Sequence, residues 1–321
     1  MKTIISRTLT PAQARLVKPV GLTLLLMAAT LVPLVTSSPY VMDVGTTVLF
    51  FMTLALGLNI VVGYAGLLDL GYAAYFAVGA YTAGILTQHF GWSFWLAMPL
   101  AGGFAMLLGT LIGFTVLRLR SDYLAIVTLG FGEIIRITAN NLDVTGGPSG
   151  IFGIPGPNFL GIQFSTLTHY YYMMLVLVVL TTIAVSRVGR SRIGRAWACL
   201  REDEDAAEAM GINTLGYKLL AYQVGTFWAG LVGAVFAVKM TAVSPMSFGF
   251  MQSITILLAV VMGGLGSVPG VILGGALVII LPEFLRAVST WRYLVFGLAL
   301  MLLMLTRPEG LWPARAEGKE E

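Results

Sequence analysis

The chain has 321 residues, of which 57% are apolar and only 11% are Asp, Glu, Lys or Arg, with a formal net charge of +4. A soluble domain carries about 25% charged residues, so this composition excludes an ordinary wetted surface and fits a chain solvated mainly by lipid. The positive charge does not indicate a nucleic-acid partner, because it lies in loops beside apolar stretches, as membrane topology predicts.

A transmembrane helix needs about 20 mostly apolar residues, and the chain supplies such stretches repeatedly. Residues 1–19 are polar and carry Lys2, Arg7, Arg15 and Lys18. Val20–Thr36 is apolar. It is followed by Ser37-Ser38-Pro39-Tyr40 rather than by a small-residue cleavage site, so it reads as a retained first span. Further spans are expected at Val44–Gly63, Leu70–Gln88, Phe94–Leu117, Tyr123–Ala139, Tyr170–Ser186, Gly216–Val238, Ser253–Leu265, Val271–Leu281 and Trp291–Thr306. The expected fold is all-α: a polytopic transmembrane helical bundle of about 10 spans, within a range of about 8–10.

Lys and Arg set the orientation. With the N-terminus in the cytoplasm, fifteen of the 19 fall in inside segments, including Arg118, Arg120 and five between 187 and 201. Three fall outside (Lys239, Arg286 and Arg292), and Arg136 lies within a span. This bias places both termini in the cytoplasm. The expected organisation is a tail over 1–19, a transmembrane domain over 20–306 and a second tail over 307–321. A cytoplasmic loop covers 187–216 and a long external loop covers 140–169. The external loop holds no Lys or Arg and is rich in Gly, Pro, Asn and Thr, hence turn-forming.

Small residues recur four apart within the spans, as at Gly225, Ala229, Gly233 and Ala237, at Gly109 and Gly113, and at Ala80 and Gly84. Such spacing lets helix backbones approach closely in lipid. Two glycine-broken zones stand apart from this pattern: Gly63 to Gly71, between the second and third spans, and Gly263 to Gly270, between the eighth and ninth. If the chain is two five-span halves, the zones occupy matching positions and the halves are inverted in the membrane. Paired interruptions of this kind line translocation paths in transporters.

Nucleotide chemistry is absent from the sequence pattern. The one Gly-Lys pair, Gly318-Lys319, precedes Glu320 and forms no phosphate-binding loop. His89 and His169 are in no metal-ligand spacing and have no nucleophile elbow nearby, so neither a metal site nor a catalytic residue is expected. Cys199 is single and reads as a filler in a polar loop.

Charges within the spans are few. Glu133 and Arg136 are three apart and share a helix face. They can neutralise each other or line a path, with the two readings evenly balanced. Asp69 either lies in the membrane or sits in the cytoplasmic turn and caps a helix starting at Leu70, the second being slightly favoured. The candidates for the path are Asn59, Tyr64, Gly66 and Asp69 in the first broken zone, Gly263, Gly264 and Gly266 in the second, and Glu133.

The cytoplasmic loop is the most informative segment. The run Arg201-Glu202-Asp203-Glu204-Asp205-Ala206-Ala207-Glu208-Ala209-Met210-Gly211 has high helix propensity in its middle and a natural stop at Gly211. Ala206, Ala209 and Met210 fall on one side and the other side is acidic, which suits a short amphipathic helix fitting a groove in a cytoplasmic partner.

These residues resemble a known family. Glu204-Asp205-Ala206-Ala207 followed by Gly211 is similar to the coupling loop of ABC importer permeases, with Asp205 in place of the family's glutamate and without the usual ending. The run from Gly57 through Asn59, Tyr64 and Gly66 to Gly71 resembles the second-span signature of branched-chain amino acid permeases. Thr145-Gly146-Gly147-Pro148-Ser149-Gly150-Ile151 resembles their external loop motif, and Met262 to Gly275 their late glycine-rich segment.

The resemblance implies a heteromeric importer in a bacterial inner membrane. This permease would pair with a homologous permease, and an external or periplasmic binding protein would deliver leucine, isoleucine or valine. Two ATPase subunits would hydrolyse ATP with magnesium, and the chain itself would bind no cofactor and catalyse no reaction. Arg201, Glu204, Asp205, Ala206, Ala207 and Gly211 would meet an ATPase subunit. Two alternatives stay open at this point: a permease of the same family for urea, amides or other amino acids, and a gradient-driven carrier or channel, for which the chain offers few buried carboxylates.

Overall fold

A computed structural model describes residues 38–116, 121–159, 162–164 and 166–285, together with 30, 33, 297–298, 301, 305–307 and 309–313. The expected 1–19 tail, the Val20–Thr36 span, Arg118 and Arg120, most of Trp291–Thr306 and the chain after 313 lie outside the described residues.

The other eight expected spans are all helical. They are α1 (Pro39–Leu58), α2 (Tyr72–Gln88), α3 (Phe94–Val116), α4 (Ser121–Asn141), α5 (Leu167–Gly189), α8 (Thr214–Met240), α9 (Phe250–Gly263) and α10 (Val268–Phe284). Two short helices, α6 (Arg192–Glu202) and α7 (Glu204–Ala209), join α5 to α8. Among the described residues five segments are long and apolar enough to cross a membrane: Pro39–Tyr64, Phe94–Val116, Leu167–Gly189, Thr214–Met240 and Pro245–Gly263. The chain is therefore a helical membrane bundle.

Local chemistry explains the helix ends. Pro39 begins α1, where its missing N–H costs nothing. Ser267 caps α10 by accepting from the Gly270 amide at 3.3 Å, with a proline in the first turn. Inside α1, Thr46 and Thr53 donate to the carbonyls four residues back at 2.6 and 2.8 Å, which satisfies their hydroxyls where no water reaches.

Helix α8 is the centre of the bundle. It packs along α2 and α3, touches α1, and reaches α5 and α6. Its small residues allow this. A Cβ on Gly233 would stand 2.3 Å from the Phe76 carbonyl oxygen, and one on Gly225 would stand 3.1 Å or less from both Val61 and Gly57, so these positions must be glycine for the backbones to meet. Phe76, Phe236 and Phe248 fill the remaining space edge to face, with Phe76 5.1 Å from each of the other two rings.

The structure departs from the purely helical expectation in the loop after α4, which forms two small antiparallel pairs. β1 (Ile151–Phe152) pairs with β4 (Ala242–Val243), and β2 (Asn158–Phe159) with β3 (Ile162–Gln163). The first pair ties the loop to the end of α8. The Thr145–Gly150 motif makes this possible: Gly146, Gly147 and Gly150 all have positive φ, and a Cβ on Gly150 would lie 2.0 Å from the Val243 carbonyl oxygen.

Candidate functional site

The two glycine-broken zones, far apart in sequence, meet in space. α1 does not stop at Leu58 but runs on as a π-helical turn over Asn59–Tyr64, a geometry concentrated at functional positions. Asn59 is fully buried, and its Oδ1 accepts from the Gly266 amide at 2.9 Å. Gly63 faces the same point: a Cβ there would lie 2.6 Å from the Gly266 nitrogen. The other half of the Asn59 amide, Nδ2, is buried with no partner among the described residues. An unsatisfied buried donor costs about 1–3 kcal/mol, so this junction is held at some expense.

The second zone is also held from the chain's other end. The amides of Leu311 and Trp312 donate to the carbonyls of Met262 and Gly263 at 2.9 and 3.0 Å. Gly264, with φ of 116°, passes so close that a Cβ would stand 2.8 Å from the Trp312 carbonyl oxygen. The break is shorter than the Gly263–Gly270 expectation, because α10 already starts at Val268.

The α6–α7 unit sits directly on the first zone. Arg201 Nη1 donates to the Gly63 carbonyl at 2.6 Å, and its stem packs on Gly66, which has φ of 71°. Trp197 is fully buried, stacks nearly parallel on Tyr64 with 6.5 Å between ring centroids, and donates from Nε1 to the Tyr217 carbonyl at 2.8 Å. Lys218 of α8, almost wholly buried, pairs with Glu204 of α7.

The loop was expected to hold one short amphipathic helix, and it holds two. Ser191 caps the first by accepting from the Ile193 and Gly194 amides, and Asp203 ends it and caps the second by accepting from the Ala206 amide at 3.0 Å. Helix α6 and its Trp197 were missed by the sequence reading. The signal was present, as Ala196, Trp197 and Leu200 fall on one face while Arg192, Arg195 and Glu202 stay exposed. On α7 only Ala207 turns inward. Ala206, Ala209 and Met210 are exposed, as are Glu204, Asp205 and Gly211.

Asp69 does not cap a helix at Leu70. α2 begins at Tyr72, its N-cap residue is Gly71, and Asp69 instead accepts from the Gly71 amide at 2.8 Å through Oδ1. The cause is the close passage of Gly71 past α4, where a Cβ would be 2.1 Å from the Thr128 carbonyl oxygen. Asp69 is fully buried, and its Oδ2 and the nearby Tyr222 hydroxyl have no hydrogen-bond partner among the described residues. Asp69 belongs to the wall between α2, α4 and α8 and is part of no open surface.

Glu133 lies apart from this junction, on α4, and pairs with Arg136. The Gly146–Gly150 turn lies at the other end of the bundle from α6–α7. Beside it, a cleft of about 490 Å³ opens between the α2–α3 turn and the loop, lined by Thr87, Trp92, Phe94 and Asn158 among others. Among the described residues there is no cluster of three or more His, Cys, Asp or Glu that could hold a metal.

With this geometry in hand, comparison with known proteins is specific. The family described as "Branched-chain amino acid transport system / permease component" matches residues 40–305. The high-affinity branched-chain amino acid transport system permease proteins LivM of Salmonella typhimurium and Escherichia coli are each 42% identical over 295 residues, covering 84% of this chain and 69% of theirs. The high-affinity branched-chain amino acid transport system permease protein LivH of Salmonella typhimurium is 24% identical over 284 residues, covering 81% of this chain and 90% of its own. No solved structure matches the chain.

Proposed function

This chain belongs to the family of permease components of branched-chain amino acid transport systems, and we propose that it is the membrane-spanning subunit through which an ATP-driven importer moves leucine, isoleucine or valine. The observation that carries the mechanism is the seating of α6–α7 on the broken end of α1. Arg201 bonds to Gly63 and Trp197 stacks on Tyr64, so displacement of α6–α7 must move the π-helical turn. That turn is bonded through Asn59 to the second break at Gly266. Push at one end of this chain of contacts reaches both interruptions of the membrane helices.

In this reading the termini and α6–α7 face the cytoplasm of a bacterial inner membrane, as the Lys and Arg bias favours, and about ten spans cross it. The exposed small face of Ala206, Ala209 and Met210, flanked by Glu204, Asp205 and Glu208, fits a groove on an ATPase subunit. ATP and its magnesium are consumed there, on a separate polypeptide. A LivH-type permease, similar in sequence to this chain, forms the other half of the pore. A binding protein outside the membrane delivers the amino acid at the end bearing the Gly146–Gly150 turn and the cleft beside it. Asn59, Tyr64, Gly66, Gly263, Gly264 and Gly266 act as the moving gate.

The test is reconstitution in liposomes. Leucine uptake should need ATP, this chain, the second permease, the ATPases and the loaded binding protein together. Uptake of leucine by this chain alone, without an ATPase, would overturn the reading.

A further inference from the structure

α4 carries an ion pair on a face that no described residue of another element covers. Arg136 Nε lies 3.0 Å from both oxygens of Glu133, and Nη2 also donates to Oε1. The pair is nevertheless open, with 25% of the Arg136 side chain and 42% of the Glu133 side chain exposed. Along the helix axis Glu133 is roughly 18 Å from the Ser121 end and roughly 12 Å from the Asn141 end. α4 is not one of the five most apolar segments, but as the span expected at Tyr123–Ala139 it would hold the pair within the hydrocarbon layer, where an exposed charge is costly and persists beside a water-filled cavity or a partner.

The packing of α4 is one-sided. Leu124, Ala125, Thr128 and Ala139 are buried against the bundle, while Tyr123, Ile126, Ile134 and Ile137 are exposed. Positions 123, 126, 130, 133 and 137 recur every three or four residues and so form one open stripe. Gly130 lies on that stripe, and a Cβ there would meet nothing within 4 Å. No neighbour among the described residues calls for a glycine at that position, and its smallness leaves room beside Glu133 for a molecule from outside the chain.

The chemistry of the pair selects that molecule. It is net neutral, so it holds neither a bare cation nor a bare anion strongly, yet it offers an anion and a cation side by side. Both Glu133 oxygens retain free lone pairs, and the Arg136 Nη1 group makes no hydrogen bond among the described residues. An amino acid is the matching inverse, with an ammonium and a carboxylate on one carbon. Laid antiparallel, its ammonium donates to Glu133 and its carboxylate accepts from Arg136, in charge-assisted bonds that are strong where water is scarce. Ile126, Ile134 and Ile137 give an apolar flank for a branched side chain.

We propose that the Glu133–Arg136 pair is the head-group contact for the zwitterionic amino acid inside the translocation path. This rests on the permease reading above.

The experiment uses the assembled transporter in proteoliposomes with leucine-loaded binding protein. Glu133→Gln and Arg136→Gln should each cut ATP-driven leucine uptake by about tenfold or more, while ATP hydrolysis stimulated by the binding protein persists. The exchanged pair, Glu133→Arg with Arg136→Glu, keeps the helix neutral and should assemble normally but not recover uptake. Wild-type uptake in the exchanged variant, or in either single variant, overturns the proposal. Failure of all three variants to assemble assigns the pair to folding and overturns it too. If the unaltered complex does not take up leucine with ATP, the permease reading itself fails, which is a separate result.

Discussion

Asn59 and Gly266 are 207 residues apart in sequence and joined by a 2.9 Å hydrogen bond in the fold. Each lies at the point where a membrane helix loses its regular form, and the bond makes the two irregularities one structural unit.

Replacing Asn59 with Ala leaves the half-buried Gly266 amide without its acceptor but also removes the unpartnered Nδ2, so the net loss should be about 1 kcal/mol. Gly63→Ala acts harder, because its Cβ would stand 2.0 Å from Asn59 Oδ1 and 2.6 Å from the Gly266 nitrogen. Thermal unfolding of the purified complex should rank the unaltered protein first, Asn59→Ala second and Gly63→Ala last. Equal stability of the three would show that the two breaks do not support each other.

Arg201→Ala should uncouple work from transport. The side chain links α6 to the Gly63 carbonyl, and its loss leaves the exposed faces of α7 intact. ATP hydrolysis by the assembled complex should continue, while leucine moved per ATP falls by about tenfold, the effect of losing roughly 1.4 kcal/mol of linkage. An unchanged ratio of uptake to hydrolysis would rule out Arg201 as a transmitting contact.

The Lys218–Glu204 pair is asymmetric, with 5% of the Lys218 side chain exposed against 47% of the Glu204 side chain. Glu204→Gln strands a buried ammonium and should lower stability by on the order of 2 kcal/mol. Lys218→Met leaves Glu204 free to turn to water and should cost less. Melting curves of the two variants, measured side by side, decide the order.

Gly150→Ala forces a side chain into a left-handed conformation, at about 1–2 kcal/mol, and against the Val243 carbonyl oxygen as well. It should detach β1 from β4 and lower the melting temperature. Pro148→Ala, at an exposed position of the same turn, should change stability by no more than about 0.5 kcal/mol. Similar losses in both variants would mean that the turn is not held by Gly150.

The eight helices that correspond to expected spans were legible because each depends on a local property, a run of apolar residues ended by Gly, Pro or polar groups. The inward turn of Ala207 and the burial of Asp69 were not. α1 and α8 are apolar on all sides, so their residue spacing does not say which face meets which neighbour. Without that rotation, Asn59 could not be assigned to Gly266, nor Arg201 to Gly63. Trp197 was overlooked because its face, shared with Ala196 and Leu200, covers little more than one turn of a short helix between charged residues.

The amino-acid sequence by itself determined the solvent, the helical class, the places where helices break and the short acidic helix, since all of these follow from composition and from neighbours within a few residues. Only the tertiary structure decided that the two breaks touch, that α6 bears on one of them and that the described residues leave one ion pair on α4 uncovered. Those facts depend on how close-packed helices rotate and cross, which small residues permit but do not specify.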